Sequence, residues 1–340
     1  MKLRPKRIDA YECETLRIYR QGDYEGCIRY GRDILQNVPY RIESESDEQN
    51  LGNIYYLLGN CYLEEEDPSN AEVCLKTAIG QYDGNSLYYR DYAIALARQG
   101  KEDEAEAMLK RAVELGLGED SIYMVQGEIA CARGSYEEAK DYLAQAIAVS
   151  ADDPLRRRAV LLGDRVYREL GTAGLDEEIG FLEREENRAG GAASAMEISE
   201  RLADAYVRKA EAEEGRRDEY YQKALERFEF LYENGYAARQ MMENIAILRE
   251  QTGDYEGARE MLLQMTEQYP EDYVGYKRQA FLEADIQQGR ETADRDYRQF
   301  AEYYHRAQEL YEGRGTDQEA DQGMEMLAVM LRELEDGNWL

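Results

Sequence analysis

The sequence predicts an all-α protein: an α-solenoid of about eight helix–turn–helix repeats with a C-terminal capping helix. Three observations support this prediction. Glycine, alanine and leucine recur with a 34-residue spacing, the stretch GDYEG occurs at 22–26 and again at 253–257, and only 5 of 340 residues are proline. Few prolines suit long helices, and a period of this length is typical of stacked helical repeats.

The spacing is clearest in three repeats that follow one another without a gap, at 52–85, 86–119 and 120–153. Positions 4, 7, 8 and 11 of each repeat form an apolar stripe on a first helix, and positions 20, 24 and 27 form a facing stripe on a second. Positions 8, 20 and 27 carry small residues, which let the two helices approach closely. Position 8, for example, is occupied by Gly59, Ala93 and Gly127.

Further repeats are predicted on either side, at 8–41, 239–272 and 273–312. Two stretches depart from the spacing. Residues 155–185 indicate an irregular helix pair with a glycine-rich turn, and residues 196–235 indicate longer helices around a longer turn.

The glycines and small residues of 187–195 predict a hinge between an N-terminal block, 1–186, and a C-terminal block, 196–340. The apolar residues of 317–336 recur at helical spacing, which predicts a terminal capping helix. The acidic stretch 42–50 predicts a loop or an extension of the next helix.

The repeated GDYEG stretch marks the corner between the two helices of a repeat. Gly22 and Gly253 both fall at position 15, where a left-handed backbone ends the first helix. Asp23 and Asp254 are expected to cap the second helix. The acidic residues of this stretch are therefore interpreted as structural rather than catalytic.

The pattern resembles the tetratricopeptide repeat. That family favours an aromatic residue at position 4, here Tyr55, Tyr89 and Tyr123, a small residue at position 8 and alanine at position 20. Gln126 at position 7 and Ala130 at position 11 depart from it. The resemblance implies a non-catalytic scaffold that binds a peptide or a helical segment of a protein in a concave groove.

The resemblance also implies which residues line the groove, since the family uses positions near 2, 5, 9 and 12 of the first helix. In this role asparagine would hold a peptide backbone, and Arg90 would bind a carboxylate. The interior arginines within an acidic shell indicate a basic or mixed-charge peptide. The candidate groove residues are Asn53, Tyr56, Asn60, Leu87, Arg90, Ile94, Met124 and Glu128.

One variant of the family clamps a C-terminal carboxylate with lysine, asparagine and arginine at fixed positions. Here those positions hold Tyr56, Asn60, Asp91, Ser121 and Val125, and Asn60 alone matches. We therefore do not expect this type of clamp.

The composition excludes several classes of partner. The 72 acidic and 42 basic residues give a formal charge of −30, which opposes binding to nucleic acid and to anionic lipid. There is no apolar run long enough to insert into a membrane, and the first residues do not resemble a secretory leader. Five cysteines without a CxxC pair suit a reducing cytoplasm. We expect a cytoplasmic monomer or weak dimer.

No catalytic motif occurs, and the one histidine, His305, lies in a polar helical stretch. We therefore expect no enzymatic activity, metal or cofactor, although an enzyme with unrecognised chemistry is a third possibility. An alternative to the scaffold comes from the C-terminal tail, which resembles the repeat regions of bacterial serine/threonine kinases. It implies a regulatory or substrate-recruiting module of a kinase-type signalling system.

Overall fold

The computed structural model describes residues 7–37, 40–151, 153–188, 192–236, 238–313, 321–337 and 339. These residues form helices and connecting turns, without a β-strand. Within each of the two compact units described below, successive helices pack against one another. The predicted all-α solenoid is confirmed.

The first compact unit comprises residues 1–174. Its helices are α1 (Ile8–Arg20), α2 (Tyr24–Asn37), α3 (Glu45–Glu64), α4 (Pro68–Gln81), α5 (Ser86–Ala97), α6 (Glu102–Glu114), α7 (Glu119–Ala132), α8 (Tyr136–Val149) and α9 (Asp153–Leu170), followed by a 3-10 turn at Gly171–Gly174.

The second unit comprises residues 175–340. It contains α10 (Leu175–Glu186), α11 (Ala192–Ala212), α12 (Arg217–Glu233), α13 (Arg239–Gln251), α14 (Tyr255–Gln268), α15 (Tyr273–Gln288), α16 (Arg298–Glu312) and α17 (Gln322–Asp336), with 3-10 turns at Glu214–Arg216 and Thr292–Asp294.

Within the first unit, the first helices of successive pairs contact one another: α1 contacts α3, α3 contacts α5, α5 contacts α7 and α7 contacts α9. Among the described residues, the second helices α2, α4, α6 and α8 make no comparable contacts with one another. Closer spacing on one side of a stack makes that side concave. We call the surface formed by α1, α3, α5, α7 and α9 the inner wall of the first unit.

The two helices of a repeat meet at positions 8 and 24, as the spacing predicts. A Cβ atom added to Gly59 would lie 2.6 Å from Cγ of Leu75, and one added to Gly127 would lie 2.9 Å from Cδ2 of Leu143. Both leucines are buried. A larger side chain at position 8 would therefore push the helices apart.

The corners of the repeats also have the predicted geometry. Gly22 and Gly253 adopt φ angles of +75° and +84°, the left-handed region that favours glycine. Asp23 accepts a hydrogen bond from the Gly26 amide at 2.8 Å, and Asp254 accepts one from the Gly257 amide at 3.0 Å. The GDYEG stretch is a helix–turn–helix corner in both places.

The acidic stretch 42–50 contributes a helix extension. Helix α3 begins at Glu45, and the hydroxyl of Ser44 caps it by accepting a 3.2 Å hydrogen bond from the Asp47 amide. Three acidic residues in the first turn are stabilised by the positive end of the helix dipole.

The predicted division into blocks 1–186 and 196–340 stays a prediction. Residues 189–191 of the predicted hinge lie outside the described residues, and α11 begins at Ala192. Residues 317–320 of the predicted capping helix also lie outside them. The rest of that helix is α17, which packs against α15 and α16 through buried Met324, Leu327 and Leu331. None of the helices described here has both the length and the apolar character that crossing a membrane requires.

Candidate functional site

The eight predicted groove residues lie on α3, α5 and α7, which are neighbouring helices of the inner wall. Four of them are buried: Asn60, Ile94, Met124 and Glu128 are 0–4 % exposed. Asn53, Tyr56 and Arg90 are partly exposed, and Leu87 is 38 % exposed. The structure therefore brings these residues together but leaves only half of them open to a ligand.

The two predicted asparagines are engaged within the chain. Asn53 accepts a 2.6 Å hydrogen bond from the Tyr88 hydroxyl and donates one of 3.2 Å to Glu12. Asn60 donates to the Tyr56 carbonyl of its own helix at 3.1 Å. A peptide backbone would have to compete with these bonds.

Arg90 is similarly occupied. Its Nε and Nη2 atoms donate to the two carboxylate oxygens of Asp91 at 2.7 and 2.8 Å, and Nη2 also donates to the Tyr56 hydroxyl at 3.2 Å. The ring of Tyr56 stacks on Tyr88 with centroids 5.0 Å apart. Arg90 therefore has an internal carboxylate in the place where the sequence predicts one from a ligand.

A second buried carboxylate lies further along the inner wall. Glu128 on α7 accepts hydrogen bonds from Arg98, the residue that follows α5, at 2.6 Å from Nη2 and 3.4 Å from Nε. Arg165 on α9 lies 3.5 Å from the same carboxylate. Arg98 also donates to the Leu63 carbonyl at 3.0 Å, which ties α5 to α3.

Arg158 on α9 connects the two carboxylates. Its Nη1 atom lies 3.7 Å from Asp91, and its charge also acts on Glu128. Its Nη2 atom is buried and has no hydrogen-bond partner in the described residues. We call Arg90, Arg98, Arg158 and Arg165, with Asp91 and Glu128, the arginine cluster.

The arginines determine the ionisation of the two carboxyl groups. Burial by itself would raise the pKa of Asp91, but the adjacent Arg90 charge and hydrogen bond, with Arg158, hold that pKa below its usual value. Burial likewise opposes ionisation of Glu128. The positive charges of three arginines nevertheless lower its pKa, namely those of Arg98, Arg158 and Arg165. Both carboxylates are therefore charged at neutral pH, and the cluster is a preformed network of ion pairs.

An open cleft of about 370 Å³ lies beside the cluster. Charged groups in its lining belong to Arg98, Arg165 and Glu128. The small apolar surfaces belong to Pro68, Ala97 and Ala132. The cleft is also lined by Glu66, Gly100 and Cys131. It lies where α5 and α7 end, beside the turns that lead to their second helices.

Sequence reasoning missed Arg98, Arg158 and Arg165 as members of the site. Arg98 comes directly after the last groove position of its repeat, and Arg158 and Arg165 are seven residues apart on one face of α9. That spacing could have identified the pair. Their carboxylate partners could not be chosen from the sequence, because acidic residues are abundant throughout the chain.

The second unit carries further ion pairs. Glu243 pairs with Arg239 at 3.2 Å and with Arg278 at 3.0 Å. Burial, together with the nearby Asp285 carboxyl group, raises the pKa of Glu250 to about 8. A carboxyl group with this pKa is mostly protonated at neutral pH.

The described residues show no group of three or more histidine, cysteine, aspartate or glutamate side chains arranged to hold a metal ion. His305 is exposed on α16 and lies beside the ring of Tyr304. Ion pairing within the chain accounts for the lowered pKa values of Asp91 and Glu128 without a catalytic role.

The tetratricopeptide repeat family model matches residues 56–121 and 201–273. No curated protein matches the chain at a significant level. Among solved structures, pilF of Pseudomonas aeruginosa is 17 % identical, with 67 % of this chain and 95 % of that chain covered and a TM-score of 0.45.

Two other solved structures are similar to this chain. A human IFIT1 dimer with PPP-AAAA is 15 % identical over 95 % of this chain and 73 % of that chain, with a TM-score of 0.46. YrrB, described as a tetratricopeptide repeat protein with an unusual peptide-binding site, is 20 % identical over 58 % of this chain and 92 % of that chain, with a TM-score of 0.38. Likenesses at this level carry no argument about function.

Two separate segments match the family model, one in each unit, and the helix pairs of both units stack as the 34-residue spacing predicts. Residues 56–121 and 201–273 are therefore tetratricopeptide repeat segments.

Proposed function

We propose that the chain is a non-catalytic interaction scaffold that binds a peptide or helical segment of another protein on the inner wall of its first unit. One observation carries the proposal: the cleft opens on this wall next to a preformed charged network. Groups that are already ordered lose little conformational freedom when a partner binds.

The lining of the cleft favours a protein segment over a small molecule. Sites for small molecules are usually enclosed and mostly apolar, with few polar groups. This cleft is open, and its lining contains both charged side chains and short apolar ones. Such a lining suits a segment that presents side chains of both kinds.

The charge of the chain supports a protein partner rather than a nucleic acid. Residues 1–174 contain 22 basic and 32 acidic residues, a formal charge of −10. This surface repels a polyanion, whereas a short segment with few charges experiences much less repulsion. We therefore do not propose the PPP-AAAA ligand of the human IFIT1 structure for this chain.

The same proposal includes a cytoplasmic monomer or weak dimer without a cofactor. All five cysteines are free thiols, which suits a reducing compartment. The overall charge of −30 opposes close self-association. The alternative, a regulatory module of a kinase-type system, has only the C-terminal resemblance in its favour and stays a prediction.

A displayed library of random twelve-residue peptides, selected against the full chain, tests the proposal. Ala132 is exposed, ends α7 and lines the cleft, so Ala132→Trp fills the cleft without entering the core. Ala148 is exposed on α8, outside the inner wall, and Ala148→Trp is the matched control.

We expect enriched peptides that bind the wild type and Ala148→Trp equally and bind Ala132→Trp at least ten-fold more weakly. Selection that yields no binder contradicts the scaffold function. Binders that tolerate Ala132→Trp contradict the inner wall as the binding surface.

A further inference from the structure

The arginine cluster holds more positive than negative charge. It contains four guanidinium groups and two carboxylates, and each carboxylate lies near at least two of the arginines. Asp91 is fully buried, and the Glu128 side chain is 1 % exposed. Both carboxylates are thus committed to the cluster and cannot be shared with distant groups.

The other nearby acidic groups compensate this excess only weakly. Glu64 and Glu66 act on Arg98, but both are exposed at the end of α3, where water and salt screen their charge. Asp164 on α9 is buried and pairs with Arg168 at 3.1 Å. The cluster therefore keeps cationic groups that a further anion would stabilise.

Hydrogen-bond donors are also in excess. Each guanidinium has five N–H groups, whereas a carboxylate has two oxygens. Nη2 of Arg158 is buried, and none of the described residues offers it an acceptor. Arg165 is 46 % exposed, and it reaches Glu128 only at 3.5 Å, on an oxygen that Arg98 already approaches.

Arg165 and Arg98 both line the open cleft, so a ligand can reach them from solvent. Pro68, Ala97 and Ala132 beside them leave room for a short aliphatic chain. A carboxylate on one or two methylene groups, as in aspartate or glutamate, matches this combination of cationic donors and small apolar walls.

We propose that the cleft binds an aspartate or glutamate side chain of the partner segment, with Arg165 and Arg98 holding its carboxylate. The proposal deepens and rests on the scaffold function proposed above. The remaining residues of the partner segment face a chain of net negative charge, which favours basic residues there. The segment as a whole is then mixed in charge. The exposed Glu64 and Glu66 disfavour a second negative charge at the rim, so a carboxylate fits better than a phosphate group.

The site differs from a clamp for a chain terminus. It is formed by Arg98 at the end of α5 and Arg165 on α9 beside the internal carboxylate of Glu128, and it is open to solvent. A side chain in the middle of a segment can enter it. The carboxylate of a free C-terminus is therefore not required.

A peptide array of acetylated and amidated twelve-residue peptides tests the proposal. The central residue is glutamate, glutamine, lysine or phosphoserine, and the flanking residues are taken from the displayed-library selection. The proteins are the full chain, Arg165→Gln and Arg111→Gln. Arg111 is the matched control because its exposure, 44 %, is close to the 46 % of Arg165 and it lies on α6, outside the inner wall.

We expect glutamate peptides to bind the wild type at least ten-fold more tightly than their glutamine counterparts. Arg165→Gln should abolish this preference, and Arg111→Gln should retain it. Circular dichroism of the two variants checks that both are folded, which separates loss of the site from loss of structure.

Three outcomes overturn the acidic-residue proposal and leave the scaffold function in place: equal binding of glutamate and glutamine peptides, a preference for lysine or phosphoserine, and an equal loss in both variants. Both proposals are overturned if no peptide binds and a single-stranded RNA binds in a way that depends on Arg165.

Discussion

Arg98, which directly follows α5, and Glu128 on α7 form a salt bridge with 2.6 Å between Nη2 and Oε1, and the Glu128 side chain is 1 % exposed. Removing Arg98 takes away both hydrogen bonds that Glu128 accepts from it and leaves only the longer contact with Arg165 and the Arg158 charge. Losing the main partner of a buried charge is costly, whereas exposed pairs contribute little. We therefore expect Arg98→Ala to lower the free energy of unfolding by about 3 kcal/mol.

Urea unfolding followed by circular dichroism measures this change. Arg111→Ala removes an exposed pair with Glu114 and serves as the control, with an expected change below about 0.5 kcal/mol. Equal effects of the two substitutions would show that the buried pair adds nothing beyond an exposed one.

The lowered pKa values of Asp91 and Glu128 predict acid sensitivity. Their unfolded values are near 3.8 and 4.5, and their folded values are lower. The stabilisation is therefore present above about pH 4.5 and is lost as the pH falls through the folded values. The urea midpoint should drop between pH 5 and pH 3. A constant midpoint over this range would be evidence against the charged network.

Glu250 makes a contribution of the opposite sign to the pH dependence of stability. Its folded pKa of about 8 lies above the unfolded value of 4.5, so the folded state loses stability as the pH rises between these values. Glu250→Gln should remove this loss and raise the free energy of unfolding at pH 8 by about 1 kcal/mol, a figure that allows for solvent screening. The gain should disappear at pH 4. A gain of the same size at both pH values would point to a cause other than ionisation.

The close approach of the paired helices predicts the effect of a larger side chain at position 20. Ala139 is fully buried between α7 and α8, so Ala139→Leu should overpack the pair and lower the free energy of unfolding by about 1–3 kcal/mol. The exposed Ala148→Leu on the same helix is the control and should change it by less than about 0.5 kcal/mol. Thermal melts that show no difference between the two variants contradict the proposed register.

The register of the repeats could be predicted from local residues. Gly59 and Leu75 are sixteen positions apart in one helix pair, and their contact follows from helix geometry and side-chain size alone. The corner at Gly253 depends on an equally local feature, a residue that tolerates a positive φ angle.

The inner wall could be predicted only in part. The positions that face it follow from the register, but their exposure depends on side chains from other repeats. Ile94 and Met124 are completely buried, and Glu128 is covered by arginines thirty or more residues away in the chain. With 42 basic and 72 acidic residues, many pairings are possible, and only the three-dimensional arrangement selects among them.

Hydrogen exchange of the full chain, with and without a peptide from the displayed library, tests whether the inner wall of the first unit is the binding surface. We expect slower exchange of backbone amides at the ends of α5 and α7, around Arg98 and Ala132, and no change on α6 or α8. Protection confined to the second unit, or to the outer helices of the first, would contradict the inner wall as the binding surface.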